Sequence, residues 1–200
     1  MIDQKTLVLA SGSVYRQRLL SRLSLSFECD APDIEESRLE DEDAREMARR
    51  LAREKGAVVA TRWPQAVVLS SDQTASLGDL VLNKPGNRET ALAQLRGCSG
   101  RSVDFYTAVA LTINGSLHAE ALVHTAVGFR ALSEDELTTY IDIDNPFDCA
   151  GSFRWEGIGI CLFESLRSED PTALEGLPLI RVADMLRSVG INPLQSDPQS

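Results

Sequence analysis

Two serines and an arginine, Ser11, Ser13 and Arg16, sit where the apolar run Thr6–Ala10 gives way to a helical pattern with Leu19, Leu20 and Leu23 on one face. A strand that turns into a helix leaves free backbone N–H groups at the helix start, which makes an anion site. Two hydroxyls and a guanidinium at that place suit phosphate better than carboxylate or water. Serines there also act simply as helix caps. The Walker pattern G-x-x-x-x-G-K-[ST] is absent. Further along, Glu35-Glu36, Lys55, Asp72-Gln73 and Lys84-Pro85 offer the remaining groups. Hydrolysis of a phosphoanhydride needs cations for the developing charge, an oriented water and often a divalent metal. Arg16, Lys55 and Lys84 match the cations, and Glu36 with Asp72 matches a metal pair. Asp72 is also suited to take a proton from water. Taken singly, each has an ordinary reading. Glu35-Glu36 belongs to an acidic solvated run, Lys55 is a surface helix lysine, Asp72 caps a turn, and Lys84-Pro85 is a turn.

The elements that must position these groups are legible in outline. Phe27–Ala31 reads as a short extended piece ended by Pro32, followed by an acidic connection over 33–43. A long helix is expected from about Ala44 to Ala60, with Met47, Leu51, Ala52 and Val58 as its apolar stripe. Ala66–Ser70 has the pattern of a buried strand that ends at Asp72-Gln73, and Gly78-Asp79 that of a hairpin turn. A helix begins at Asn87 or Thr90 and stops at Gly97. Val103–Ile113 and Leu117–Phe129 form a hairpin around Asn114-Gly115. Ser133–Glu136 has capping-box spacing for a helix to about Ile141. Glycines 151, 157 and 159 break up a loop before Phe163, and a last helix covers Leu179–Ser188. This order predicts an α/β fold with a mixed, twisted sheet flanked by helices and two lobes around a cleft. A single domain over 1–194 and a disordered tail over 195–200 are expected. In an open α/β sheet, ligands lie outside the carboxyl ends of strands. Ser11, Ser13, Glu36 and Asp72 all follow strand candidates.

The chain has 200 residues and a formal net charge of −10. That charge argues against binding a nucleic-acid backbone but not against a small phosphorylated ligand met by a few local cations. No run of 18 apolar residues and no signal peptide are visible, so a cytoplasmic protein without a membrane partner is expected. Cys29, Cys98, Cys149 and Cys161 lack C-x-x-C spacing and read as reduced thiols, mostly buried. His118 and His124 read as ordinary strand histidines.

In combination the motifs become specific. The order Leu-Ala-Ser11-Gly-Ser13-x-x-Arg16, Asp33-Ile-Glu35-Glu36, Glu54-Lys55, Ser71-Asp72-Gln73 and Asn83-Lys84-Pro85 resembles the Maf family of nucleoside triphosphate pyrophosphatases. The resemblance covers about residues 5 to 190. Cys149-Ala-Gly-Ser-Phe153-x-x-Glu156-Gly157, Phe105-Tyr-Thr107 and Gly176-Leu-Pro-Leu179 are similar to the YceF-type subgroup, which implies 7-methyl-GTP as substrate. The resemblance implies an inosine triphosphate pyrophosphatase-like fold, cleavage between the α and β phosphates, and a divalent cation such as Mg²⁺, Mn²⁺ or Co²⁺. It places the proton acceptor on Asp72, phosphate contacts on Ser11, Ser13 and Arg16, and the two lysines on Lys55 and Lys84. The metal-side glutamate falls on Glu36, and base selection on Tyr15, Gln73 and Glu156. Those last positions fit a cationic 7-methylguanine ring. The face of Tyr15 attracts a cation, and the Glu156 carboxylate accepts from guanine N–H groups. Three positions depart from the family: Tyr15 stands where close relatives carry Trp, Glu35 where Asp is frequent, and Gly56 where Ala is usual. The resemblance leaves open a nucleotide-binding regulator of cell division, a UTP or dTTP pyrophosphatase, and a homodimer.

Overall fold

The computed structural model describes residues 6–195. The expected disordered tail therefore lies, but for Gln195, outside the described residues.

The apolar run forms β1 (Leu7–Ala10), every residue of it buried. It leads through Ser11–Ser13 into helix α1 (Val14–Ser21). The short β2 (Glu28–Cys29) and the long helix α2 (Ala44–Arg62) follow. Asp43 and Glu46 close a capping box at the start of α2, which fixes where the acidic connection ends. Next come β3 (Val67–Leu77), β4 (Leu80–Leu82) and α3 (Arg88–Cys98). The central hairpin pairs β5 (Ser102–Ile113) with β6 (Ser116–Phe129). Asn114 and Gly115 both adopt left-handed φ angles, 51° and 74°, as a two-residue hairpin turn demands. Then follow α4 (Glu134–Asp144), β7 (Phe163–Ser168) and α5 (Leu179–Ser188).

The seven-stranded sheet runs β2-β1-β3-β5-β6-β7, with β4 attached to β3 off this path. β1 is parallel to β2 and β3, and the other pairings are antiparallel. This is the mixed α/β sheet expected. One apolar cluster gathers Phe105, Leu95, Ile141 and Phe153 around α3 and α4. A second gathers Leu9, Leu19, Leu69 and Leu186 around α1 and α5.

Two expectations are corrected. β3 does not end near Ser70 but runs on to Leu77, so Asp72 and Gln73 lie within a strand, opposite Ala108 and Thr107. The polar stretch stays in the sheet because its hydroxyls find backbone acceptors. Ser70 donates to Ala52 O, Ser71 to Ala108 O and Thr74 to Ala44 O. Helix α3 likewise passes Gly97 and ends at Cys98; the left-handed turn falls on Gly100.

Gly56 has a packing reason. A Cβ there would lie 2.7 Å from Ser70 Oγ and 2.8 Å from Thr112 Oγ1. Gly56→Ala is therefore expected to lose about 1–3 kcal/mol of stability, outweighing a helix-propensity gain of about 1 kcal/mol. The thermal midpoint reads this, and Ser70→Ala in the same chain should recover part of the loss. A midpoint that rises on Gly56→Ala alone would refute the packing argument.

Candidate active site

The pairing of β3 leaves a gap at one edge. β1 pairs with Val67–Ser70, and β4 with Ala75–Leu77. Residues 71–74 have no strand neighbour on that side. A cleft of about 850 Å³ opens there. The rule that ligands sit past the carboxyl end of a strand thus holds for β1, while Asp72 reaches the same place from mid-strand.

Ser11, Ser13, Tyr15, Arg16, Glu36, Lys55, Asp72, Gln73, Lys84 and Glu156 all line this cleft, whereas Glu35 does not and instead accepts from Ser37. Strand alternation sends Asp72 and Thr74 toward α2, and Ser71 and Gln73 toward the 3-10 turn Pro171–Glu175.

On the α2 side, Lys55 is 5% exposed, which overturns its reading as a surface lysine. Its Nζ lies 2.6 Å from Asp72 Oδ1 and 2.6 Å from Glu36 Oε1. The two carboxylates therefore converge on one cation. Burial pushes the Asp72 pKa up, more than the charges of Lys55 and Arg16 offset. For the half-exposed Glu36, burial also acts upward, but Lys55, Lys84 and Arg16 win and hold it below the usual range. Lys84 is exposed beside β4.

At the start of α1 both readings of the serines hold together. Ser13 Oγ accepts from Arg16 N at 3.4 Å and caps the helix, while Ser11 Oγ accepts from Ser13 N at 3.1 Å. Arg16 Nε donates to Gly176 O at 2.9 Å, and Nη1 reaches Ser11 Oγ at 3.4 Å. Burial lowers the Arg16 pKa, opposed by the charges of Asp72 and Glu36. The guanidinium is thus held by Gly176 and Ser11 within the field of the two carboxylates.

At the other end, Gln73 Nε2 donates to Thr107 Oγ1 at 2.9 Å, Ala173 O at 2.8 Å and Leu174 O at 3.2 Å. Its amide nitrogen is spent on the wall, which leaves the oxygen to meet a ligand. Burial raises the Tyr15 pKa, and the charge of Glu156 adds to it while Arg154 opposes. Tyr15 and Glu156 therefore share one electrostatic neighbourhood.

Sequence reasoning missed several groups of this wall. Arg154 reaches Asp144 Oδ1 and Asp148 Oδ1, both at 3.3 Å, and its backbone N–H donates to the Tyr140 hydroxyl at 3.0 Å. The glycine-rich stretch gave no local signal for this, because the partners lie on α4 and the loop after it. Glu175 was missed because the turn that carries it is held by Arg16, Ser71, Gln73 and Thr107, all distant in sequence. Cys149 lines the cleft with a thiol that burial pushes up to about 11, so it stays protonated. The expectation of mostly buried cysteines holds for Cys98 but not for Cys29 and Cys161, which are exposed. His124 pairs with Asp104 at 2.6 Å and stacks on Tyr106, and neither His124 nor Tyr106 lines the cleft.

Two carboxylates and two cations that converge beside a helix-start turn can hold a polyphosphate and deprotonate a water. Among the described residues no group of three or more His, Cys, Asp or Glu side chains forms a metal cage. Glu36 and Asp72 are hard oxygen donors of the kind Mg²⁺ and Mn²⁺ use when substrate phosphates complete the shell. The donor set fits such an ion.

Comparison with known proteins agrees with this geometry. The chain is 50% identical over 186 residues to the 7-methyl-GTP pyrophosphatase of Xanthomonas oryzae pv. oryzae, covering 93% of this chain and 97% of that one. It is 47% identical over 186 residues to the protein of that name from Pseudomonas aeruginosa, covering 92% and 97%. A HAM1 protein from Coxiella burnetii has the same fold, with a TM-score of 0.52 at 16% identity, over 92% of this chain and 100% of that one. The family model described as Maf-like protein spans residues 6–189, which takes in both walls of the cleft, and the chain belongs to that family.

Proposed function

We propose that this chain is a nucleoside triphosphate pyrophosphatase that cleaves 7-methyl-GTP to 7-methyl-GMP and pyrophosphate with the help of a divalent cation. It would thereby keep a modified nucleotide from polymerases. One observation carries the reaction type: the Lys55 ammonium between Asp72 and Glu36, in the cleft whose facing wall is the Ser11–Arg16 turn. The names of the relatives support the substrate.

The triphosphate lies along Ser11, Ser13 and Arg16, and Lys55 and Lys84 add positive charge. Asp72 takes the proton of a water that attacks the α-phosphorus. The new bond joins that oxygen to the α-phosphorus. The bond to the bridging oxygen breaks, and pyrophosphate leaves with it. A raised pKa makes Asp72 a better base than an exposed aspartate, provided it is ionised at the working pH. A divalent ion held by Glu36 and Asp72 would, when bound, neutralise charge on the phosphate oxygens. Tyr15, Gln73 and Glu156 meet the base.

The test is pyrophosphate release from a nucleotide panel with and without Mg²⁺, Mn²⁺ or Co²⁺. Release from 7-methyl-GTP above GTP, UTP and dTTP is expected, and binding without release would refute the reading. Glu156→Gln is expected to lower kcat/KM for 7-methyl-GTP by about tenfold, since it removes a charge-assisted acceptor. An unchanged value would remove Glu156 from base selection.

A further inference from the structure

Glu175 ends the 3-10 turn Pro171–Glu175 and lines the same cleft as Glu156 and Tyr15. Its placement is rigid. Gln73 and Thr107 hold the carbonyl of Ala173, and Ser71 and Arg16 hold that of Gly176. Gly176 takes a φ of +97°, which turns the chain sharply right after Glu175. The Glu175 carboxylate has no hydrogen bond or ion pair among the described residues, nor has that of Glu156. Burial raises its pKa, repulsion from Glu156 adds to this, and only the charge of Arg22 opposes. Beside Glu156, Trp155 also lines the cleft, and its indole Nε1 is buried without an acceptor among the described residues. Two carboxylates from separate segments thus line one cleft, close enough for the charge of one to act on the other, and neither has a hydrogen bond or ion pair among the described residues. Carboxylates that repel one another in this way are relieved by a ligand that brings positive charge. The phosphates of a nucleotide cannot be that ligand, since they belong with Arg16 and Lys55.

We propose that Glu175 is a specificity-determining residue that, with Glu156, reads the positive charge of an N7-alkylated purine. The inference rests on the substrate reading above and adds a residue to it. A neutral guanine has the same Watson–Crick edge but lacks the charge, so Glu175 discriminates between 7-methyl-GTP and GTP. A role in holding the metal or the phosphates would affect the two nucleotides alike.

The experiment measures kcat/KM for 7-methyl-GTP and GTP with the full chain and its Glu175→Gln variant, together with equilibrium binding of 7-methyl-GMP and GMP. Glu175→Gln is expected to lower the 7-methyl-GTP to GTP ratio by about tenfold, and the 7-methyl-GMP to GMP binding ratio similarly. Ratios unchanged within about twofold, or parallel loss for both nucleotides, would overturn the inference. The thermal midpoint of Glu175→Gln and the same ratios for Glu175→Asp, which keeps the charge, guard against a folding defect; a ratio that falls equally in Glu175→Asp and Glu175→Gln counts against charge reading. Should the wild type prefer 7-methyl-GMP in binding yet release no pyrophosphate, the pyrophosphatase reading fails while charge reading by Glu175 stands or falls on the binding ratio alone. A wild type that binds both monophosphates equally overturns it.

Discussion

Asp72→Asn is expected to lower kcat for pyrophosphate release from 7-methyl-GTP by about 10³-fold, within the range lost when a general base is removed. The asparagine keeps the shape of the side chain and its place opposite Ala108 in β3. It cannot accept a proton from water. Nucleotide binding should persist, because Arg16, Ser11, Ser13 and Lys84 are untouched. Single-turnover pyrophosphate release and equilibrium binding of the nucleotide separate the two effects. Release at the parental rate would sink the mechanism. Loss of binding together with turnover would assign Asp72 to holding the substrate instead.

Lys55→Met should cost both activity and stability. The Lys55 and Asp72 side chains are each 7% exposed, so their ion pair is shielded from water. Removing one member of such a pair strands the other charge, at a cost of about 3–5 kcal/mol. Arg16 remains near Asp72 and reduces this, so about 3 kcal/mol is expected from denaturant unfolding. The dependence on pH has a definite sign. Without Lys55 the folded pKa of Asp72 rises further above its unfolded value. The unfolded chain then releases its proton at lower pH than the folded one. Stability relative to the parent is best at low pH and declines as pH rises through the folded pKa of Asp72. Asp72→Asn in the Lys55→Met background should recover stability, because no unpaired buried carboxylate remains; the double-mutant cycle measures that coupling. A Lys55→Met deficit that is flat with pH, or not relieved by Asp72→Asn, would show that the ion pair is not what is lost.

Much of this molecule is written locally. The capping boxes at Asp43–Glu46 and Ser133–Glu136 mark the starts of α2 and α4 through contacts three residues apart. The Asn114-Gly115 turn closes the β5–β6 hairpin for the same reason, and a bulge between Leu111 and Thr112 then shifts the register of the remaining ladder. Where the sequence misleads, the deciding contacts are distant. Nothing near Ser71–Thr74 says that a polar stretch continues a strand; the carbonyls of Ala44, Ala108 and Gly176 decide it. Nothing near Lys55 says that it is buried, because its partners are distant in sequence, Asp72 on β3 and Glu36 in the loop before α2.

The amino-acid sequence by itself determined the elements, the mixed α/β class and, through the order of its motifs, the residues of the cleft. Periodicity, caps and turns act over a few residues, so they can be read without the fold. The tertiary structure decided that β3 bridges a gap between β1 and β4, that Lys55 is shared by two carboxylates, and that Glu175 joins Glu156 in the lining of one cleft. Each of these depends on which backbone groups and charges come together across the sheet, and desolvation and Coulomb energy exist only once that packing is made.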